Sequence, residues 1–160
     1  MELRQRKPLR LKDRDYSHDG YYFITICVKD RWPILCSGEA YDPETNRLPL
    51  SETGELVRQR LETLPAHYPG TRLEQYVIMP NHIHLILVLH KGQGRSAPSV
   101  SQMVQMMKGA VTKSLGYSIW QKSFHDRIIR DDTEYLRIWE YIENNPAKWR
   151  EDCYYTVKNS

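Results

Sequence analysis

The chain has 160 residues, 40% hydrophobic and 27% charged, the proportions of a globular domain and not of a disordered chain. At this length folding buries roughly 70% of the unfolded surface, enough for a core without disulfides or a structural metal. A (β/α)8 barrel, at about 250 residues, is excluded, and with it the barrel hydrolases that use His-x-His metal sites. No apolar run approaches the ~20 residues of a membrane span, and the opening MELRQRKPLRLKDR has no apolar signal segment.

The net charge of +3 is unevenly spread. Residues 1–12 hold Arg4, Arg6, Lys7, Arg10 and Lys12 against the single acid Glu2, and the rest carries 18 basic and 19 acidic groups. The chain thus reads as a basic arm (1–15), a nearly neutral body (16–150) and a short C-terminal tail (151–160). The arm is either a contact for phosphates or a solvated terminus. Cys27, Cys36 and Cys153 form no C-x-x-C pair, and an odd count without a signal segment points to a reducing, cytoplasmic setting.

In chain order, Tyr21–Val28 (YYFITICV) is β-branched and aromatic, the composition of a strand. Asp30 to Leu50 is rich in Pro, Gly and Asp and reads as a loop, with short strands near Ile34–Cys36 and Arg47–Leu50. Residues 51–64 predict a helix with Ser51 as N-cap and Leu56, Val57, Leu61 and Leu64 on one face, stopped by Pro65. RLEQYVIMP (72–80) and HIHLILVLH (82–90) predict two strands around a tight Pro80–Asn81 turn, the second central and covered. Val100–Leu115 is helical, with Met103 and Met107 as core filler. Ser123–Arg130 predicts the last strand, and Asp131 caps a helix through Asn145, ended by Pro146. Strand, helix, two strands, helix, strand, helix suits an α+β, ferredoxin-like (RRM-like) antiparallel sheet with helices packed on one face.

Two constellations carry chemistry. In Pro80-Asn81-His82-Ile83-His84, alternation along a strand points both imidazoles to one side. Such a pair can hold a divalent ion with an open coordination sphere, as a catalytic metal requires; the plainer reading is two ordinary strand histidines. In Trp139–Pro146 (WEYIENNP), Tyr141 and Asn145 are four residues apart and share a helix face. The phenol could attack a phosphodiester and the amide oxygen could be a third ligand to Mg2+ or Mn2+. Alone, Tyr141 reads more readily as a core tyrosine at the end of an amphipathic helix.

The ordered set of motifs resembles one family. A basic arm, the Tyr21–Cys27 strand, YVIMPNHIHLIL at Tyr76–Leu87, MKGAVTK at Met107–Lys113, Trp120-Gln121, HDRIIRD at His125–Asp131 and YIENNP at Tyr141–Pro146 are similar to the HUH-type single-tyrosine transposases, in their REP-associated branch. The resemblance runs from Arg10 to Trp149. It implies a ferredoxin-like fold with the histidines on a central strand. It implies that His82, His84 and Asn145 bind Mg2+ or Mn2+ and that Tyr141 is the nucleophile. The wider insertion-sequence transposases often have Gln where this chain has Asn145.

The implied reaction nicks and rejoins single-stranded DNA at hairpin-forming palindromes through a 5′-phosphotyrosine, whose stored bond allows rejoining. The implied setting is cytoplasmic and nucleoid-associated, without a membrane, as monomer or homodimer. Lys108, Lys113, Arg127 and Arg130 are candidate phosphate contacts, and Trp120 a base-stacking surface; each also reads as a solvated charge or a core aromatic. His125 and Asp126 have no assigned role. Two other classes stay open: a non-catalytic single-strand binder on an RRM-like sheet, and a metal-dependent phosphodiesterase with a structural Tyr141.

Overall fold

The computed structural model describes residues 19–90 and 98–155; the basic arm, with Arg4, Arg6, Lys7, Arg10 and Lys12, lies outside them. The elements are β1 (Asp19–Cys27), α1 (Glu52–Glu62), α2 (Leu64–His67), β2 (Thr71–Met79), β3 (His82–His90), α3 (Val100–Leu115), β4 (His125–Ile128) and α4 (Asp132–Asn144). The strands form one sheet in the order β2-β3-β1-β4, antiparallel at every pairing. That is the ferredoxin-like arrangement expected from the element order.

Alternation sorts the two central strands onto two cores. Ile24, Ile26 and Val28 of β1 and Ile83, Leu85, Leu87 and Leu89 of β3 pack with Val57 and Leu61 of α1 and Met103, Val104, Met107 and Val111 of α3. Tyr21 of β1, Ile86 and Val88 of β3 and Val77 and Met79 of β2 pack with Tyr135, Ile138 and Ile142 of α4. The helices α1 and α3 therefore share one face as expected, whereas α4 crosses the other. β3 is apolar on both sides because both sides are covered.

Local chemistry sets the boundaries. Ser51 Oγ accepts from Gly54 N at 3.0 Å and donates to Ile34 O at 2.6 Å, tying the start of α1 to the preceding loop. A side chain at Gly54 would put Cβ 2.0 Å from Leu35 O, so only glycine permits this approach. Ser99 and Gln102 complete a capping box at α3, which ends on Gly116 at φ 85°. Asp131 caps α4 by accepting from Glu134 N at 2.8 Å.

Four sequence expectations shift. Pro65 does not simply stop α1; it falls in the first turn of α2, where its missing N–H costs nothing. The last strand contracts from Ser123–Arg130 to His125–Ile128. The short strands near 34–36 and 47–50 are reduced to single bridges, Cys36 with Leu50 and Asp42 with Arg47. Residues 151–155, assigned to a tail, include part of a helical turn, Trp149–Glu151, and pack against the domain.

Candidate active site

His82 and His84 leave β3 on the face that α4 crosses, with ring centroids 4.6 Å apart. They are 0% and 2% exposed. One side chain orients His82. Asn81 Nδ2 donates to Tyr154 O at 2.7 Å and Arg31 O at 3.3 Å, which turns its Oδ1 toward His82 Nδ1 at 2.8 Å. An amide oxygen can only accept, so Nδ1 carries the ring proton and Nε2 keeps its lone pair. His84 Nδ1 meets Thr25 Oγ1 at 2.8 Å, across the register that pairs Thr25 with His84.

The other ring nitrogens are left over. His82 Nε2, His84 Nε2, Asn145 Oδ1 and Asp152 Oδ2 are buried with no hydrogen-bond partner, and Asp152 Oδ2 lies 3.8 Å from His82 Nε2. Leaving buried polar atoms without a partner is costly, and a bound divalent cation would relieve that cost. Among the described residues no three His, Cys, Asp or Glu side chains form a metal-holding cluster. Two imidazoles with an amide oxygen are a mixed N/O donor set that Mg2+ or Mn2+ accepts, so the residues present fit the ion.

Both histidines are held neutral, the form that ligates. Burial drives His82 well below its ordinary range, and the neighbouring His84 adds to this. The Asn145 amide favours the charged form of His82 without completing a hydrogen bond. Burial alone lowers His84 to about 3.

Tyr141 enters from α4. The buried stripe Tyr135, Ile138 and Ile142 continues into Asn145, which is 5% exposed. Tyr141 stands beside that stripe, 42% exposed. Its ring meets His84 at 5.3 Å and Phe23 at 6.2 Å, edge-on to both. Burial, then Asp152, Cys153 and Tyr154, push the phenol up to about 12, while the Asn145 amide opposes the shift. A depression of about 290 Å3 at the end of α4 is lined by Tyr141, Asn145 and Lys148. The end of α4 is clamped from outside: Glu143 accepts from Gln75 Nε2 at 2.7 Å and from Asn46 Nδ2 at 3.2 Å.

The remaining sequence candidates divide. The register pairs Phe23 with Arg127 and Thr25 with His125, so both β4 side chains stand on the histidine face. Arg127 is exposed and lies 3.4 Å from Glu134 Oε1; Arg130 is exposed just beyond β4. Lys108 and Lys113 belong to α3, which packs on the opposite face of the sheet. Lys108 Nζ donates to Gln121 O at 2.7 Å and burial lowers its pKa, so it anchors a loop. Trp120 is 5% exposed inside the α1/α3 core and offers no stacking face, contrary to expectation. It is held there by the bridge to Val28.

Sequence reasoning missed Thr25, Asn81, Asp152 and Tyr154. Tyr154 stacks on His82 at 4.3 Å. Only Asn81 had a usable signal, its place beside His82.

Comparison with known proteins fits this geometry. No family model matches the chain. An uncharacterized protein of Haemophilus influenzae is 31% identical, covering 96% of this chain and 94% of its own length. A second protein of that organism, described as "Putative REP-associated tyrosine transposase", is 26% identical over 84% of this chain and 74% of its own. The structure of a REP-associated tyrosine transposase bound to a REP hairpin superposes with a TM-score of 0.63 at 21% identity, covering 93% of this chain and 74% of that one. The chain is thus similar in sequence to a protein described as a REP-associated tyrosine transposase and shares the fold of another. A crystal structure from Deinococcus radiodurans, described as a "putative transposase", shares the fold at a TM-score of 0.51 and 19% identity, covering 82% of this chain and 94% of that one. In this chain, phenol, imidazoles and amide come together within one copy. Among its described residues no helix is long and apolar enough to cross a membrane.

Proposed function

We propose that the protein is a metal-dependent single-stranded DNA transesterase that nicks and rejoins hairpin-forming palindromic repeats in the cytoplasm. The observation that carries this reading is the half-exposed Tyr141 phenol against His84, beside a set of buried nitrogen and oxygen atoms without a hydrogen-bond partner. The structural relative bound to a REP hairpin supports the substrate class.

In this reading Tyr141 Oη attacks a backbone phosphorus. The Oη–P bond forms, the P–O3′ bond breaks, and the chain holds the 5′ phosphate while a 3′-OH leaves. Attack of that hydroxyl, or of another 3′-OH, reverses the step and releases Tyr141. Asn145 serves the phenol through its amide, and Phe23 and His84 fix the ring edge-on. Asn81 and Thr25 hold the two imidazoles with Nε2 facing inward. Lys148 at the mouth of the depression offers a cation to incoming phosphate. A Mg2+ or Mn2+ ion held by His82, His84 and Asn145 would supply the positive charge that offsets the phenolate and the attacked phosphate.

The test is incubation with labelled hairpin DNA and Mn2+. A denaturation-resistant protein–DNA band that disappears in Tyr141→Phe is the expected result. Cleavage that survives Tyr141→Phe would make the protein a phosphodiesterase, and binding without cleavage would make it a binder.

A further inference from the structure

The turn that follows β1 carries an aromatic that the site above does not use. Trp32 is 58% exposed, and exposed Lys29 and Arg31 precede it with one acid, Asp30, between them. The segment is tightly built. Lys29 N bonds Ile119 O at 2.8 Å, Arg31 N bonds Val28 O at 3.1 Å and Trp32 N bonds Lys29 O at 3.3 Å. Asp30 and Arg31 both hold φ 55°, a left-handed conformation that costs free energy in non-glycine residues. Pro33 follows, restricting Trp32 to its extended backbone, φ −64° and ψ 129°.

This turn is joined to the histidine pair. Asn81, which orients His82 through Oδ1, donates from Nδ2 to Arg31 O at 3.3 Å. The Arg31 guanidinium lies 5.5 Å from the Tyr154 ring centroid, and that ring stacks on His82. A solvent-facing indole preceded by two exposed basic residues, on a turn hydrogen-bonded to the side chain that orients His82, has the makings of a single-strand site: a π-face for a base and cations for its phosphates.

We propose that Trp32, with Lys29 and Arg31, is a stacking platform for an unpaired base of the DNA strand flanking the phosphate that Tyr141 attacks. The proposal rests on the transesterase reading for the position of that phosphate. It commits to single-stranded DNA because the flanking charges match a polyanion and because the platform is continuous with the site through Asn81. Trp120, buried in the core, cannot fill this role.

Tryptophan emission tests it. Trp120 and Trp149 are buried and Trp139 is half-buried, leaving Trp32 as the well-exposed indole of the four. The full chain in EDTA, where no cleavage is read, is titrated with a DNA hairpin carrying an oligo-dT extension and with the same hairpin blunt-ended. The extended hairpin should quench emission and bind more tightly than the blunt one. Trp32→Ala should lose the quenching and bind the extended hairpin roughly 5- to 150-fold more weakly, with blunt-hairpin affinity unchanged. Trp32→Phe should keep most of the affinity, and Arg31→Ala should lower the salt slope by about one. Wild-type affinity of Trp32→Ala for the extended hairpin overturns the proposal, as does equal quenching by both DNAs, which would point to another partner for this turn. The covalent-adduct assay is independent: its failure removes the transesterase reading and leaves the binding result legible.

Discussion

Tyr141 and His84 come from elements far apart in sequence, yet their rings meet edge-on at 5.3 Å within one chain. Phe23 closes the other side of the phenol, so the ring is held from two directions while 42% of the residue stays open to solvent.

Tyr141→Phe is therefore expected to keep the fold and lose the chemistry. Removing one half-exposed hydroxyl should move stability within about 0.5 kcal/mol. With Tyr141 as the proposed nucleophile, covalent adduct formation should fall by roughly 10³-fold or more. Thermal melting and a gel assay with labelled hairpin, run on the same preparation, check the two halves.

Asn81 should matter for metal binding although it contacts no metal. It sets the His82 tautomer and satisfies two backbone carbonyls. Asn81→Ala is expected to weaken Mn2+ binding by roughly 10- to 100-fold, the usual cost of losing a partner behind a ligand. It should also destabilise the fold by about 1–3 kcal/mol through the orphaned groups. Thr25→Val, which removes only the His84 partner, should show the binding loss with a smaller change in stability. Calorimetric titration with Mn2+ and urea unfolding separate the two effects.

The metal-free protein should weaken in acid. His82 and His84 resist protonation when folded, His84 down to about 3, whereas an unfolded histidine takes up a proton near pH 6.5. Between these values the unfolded chain binds more protons, so stability is complete above about pH 6.5 and falls as the pH drops toward 3. Urea midpoints measured across that window should decline, and His84→Gln should flatten the decline. A profile unchanged by that substitution would show that His84 is not a buried neutral imidazole.

Glu143 positions the end of α4 from outside. Its carboxylate accepts from Gln75 of β2 and from Asn46 in the preceding loop, two residues along the chain from Tyr141. Glu143→Ala should cost about 1–2 kcal/mol of stability. It should slow adduct formation by roughly tenfold, because the nucleophile must be held to within a fraction of an ångström. Affinity for hairpin DNA in EDTA should not change, which distinguishes a positioning role from a binding one.

Much of this was legible in the residues. The alternation of HIHLILVLH puts His82 and His84 on one face whatever pairs with the strand. Ser51 and Asp131 cap helices where their side chains predict it, and the four-residue spacing of Tyr141 and Asn145 holds them together on α4. These are local matters, decided by backbone periodicity and by donors within a turn.

Folding decided what local spacing leaves open. Strand register chose Thr25 as the partner of His84 and placed His125 and Arg127 on the histidine face. The second apolar face of the sheet drew α4 across it, which is why Tyr141 reaches the imidazoles and why helices cover both faces. Trp120 reads as an aromatic open to either role until the bridge to Val28 buries it. Asp152 and Tyr154 follow the last motif and carry no pattern, yet a backbone carbonyl held by Asn81 brings them to His82. Periodicity dictates which way a side chain leaves its own element; what it meets depends on contacts between distant segments, and those form only when the whole core closes.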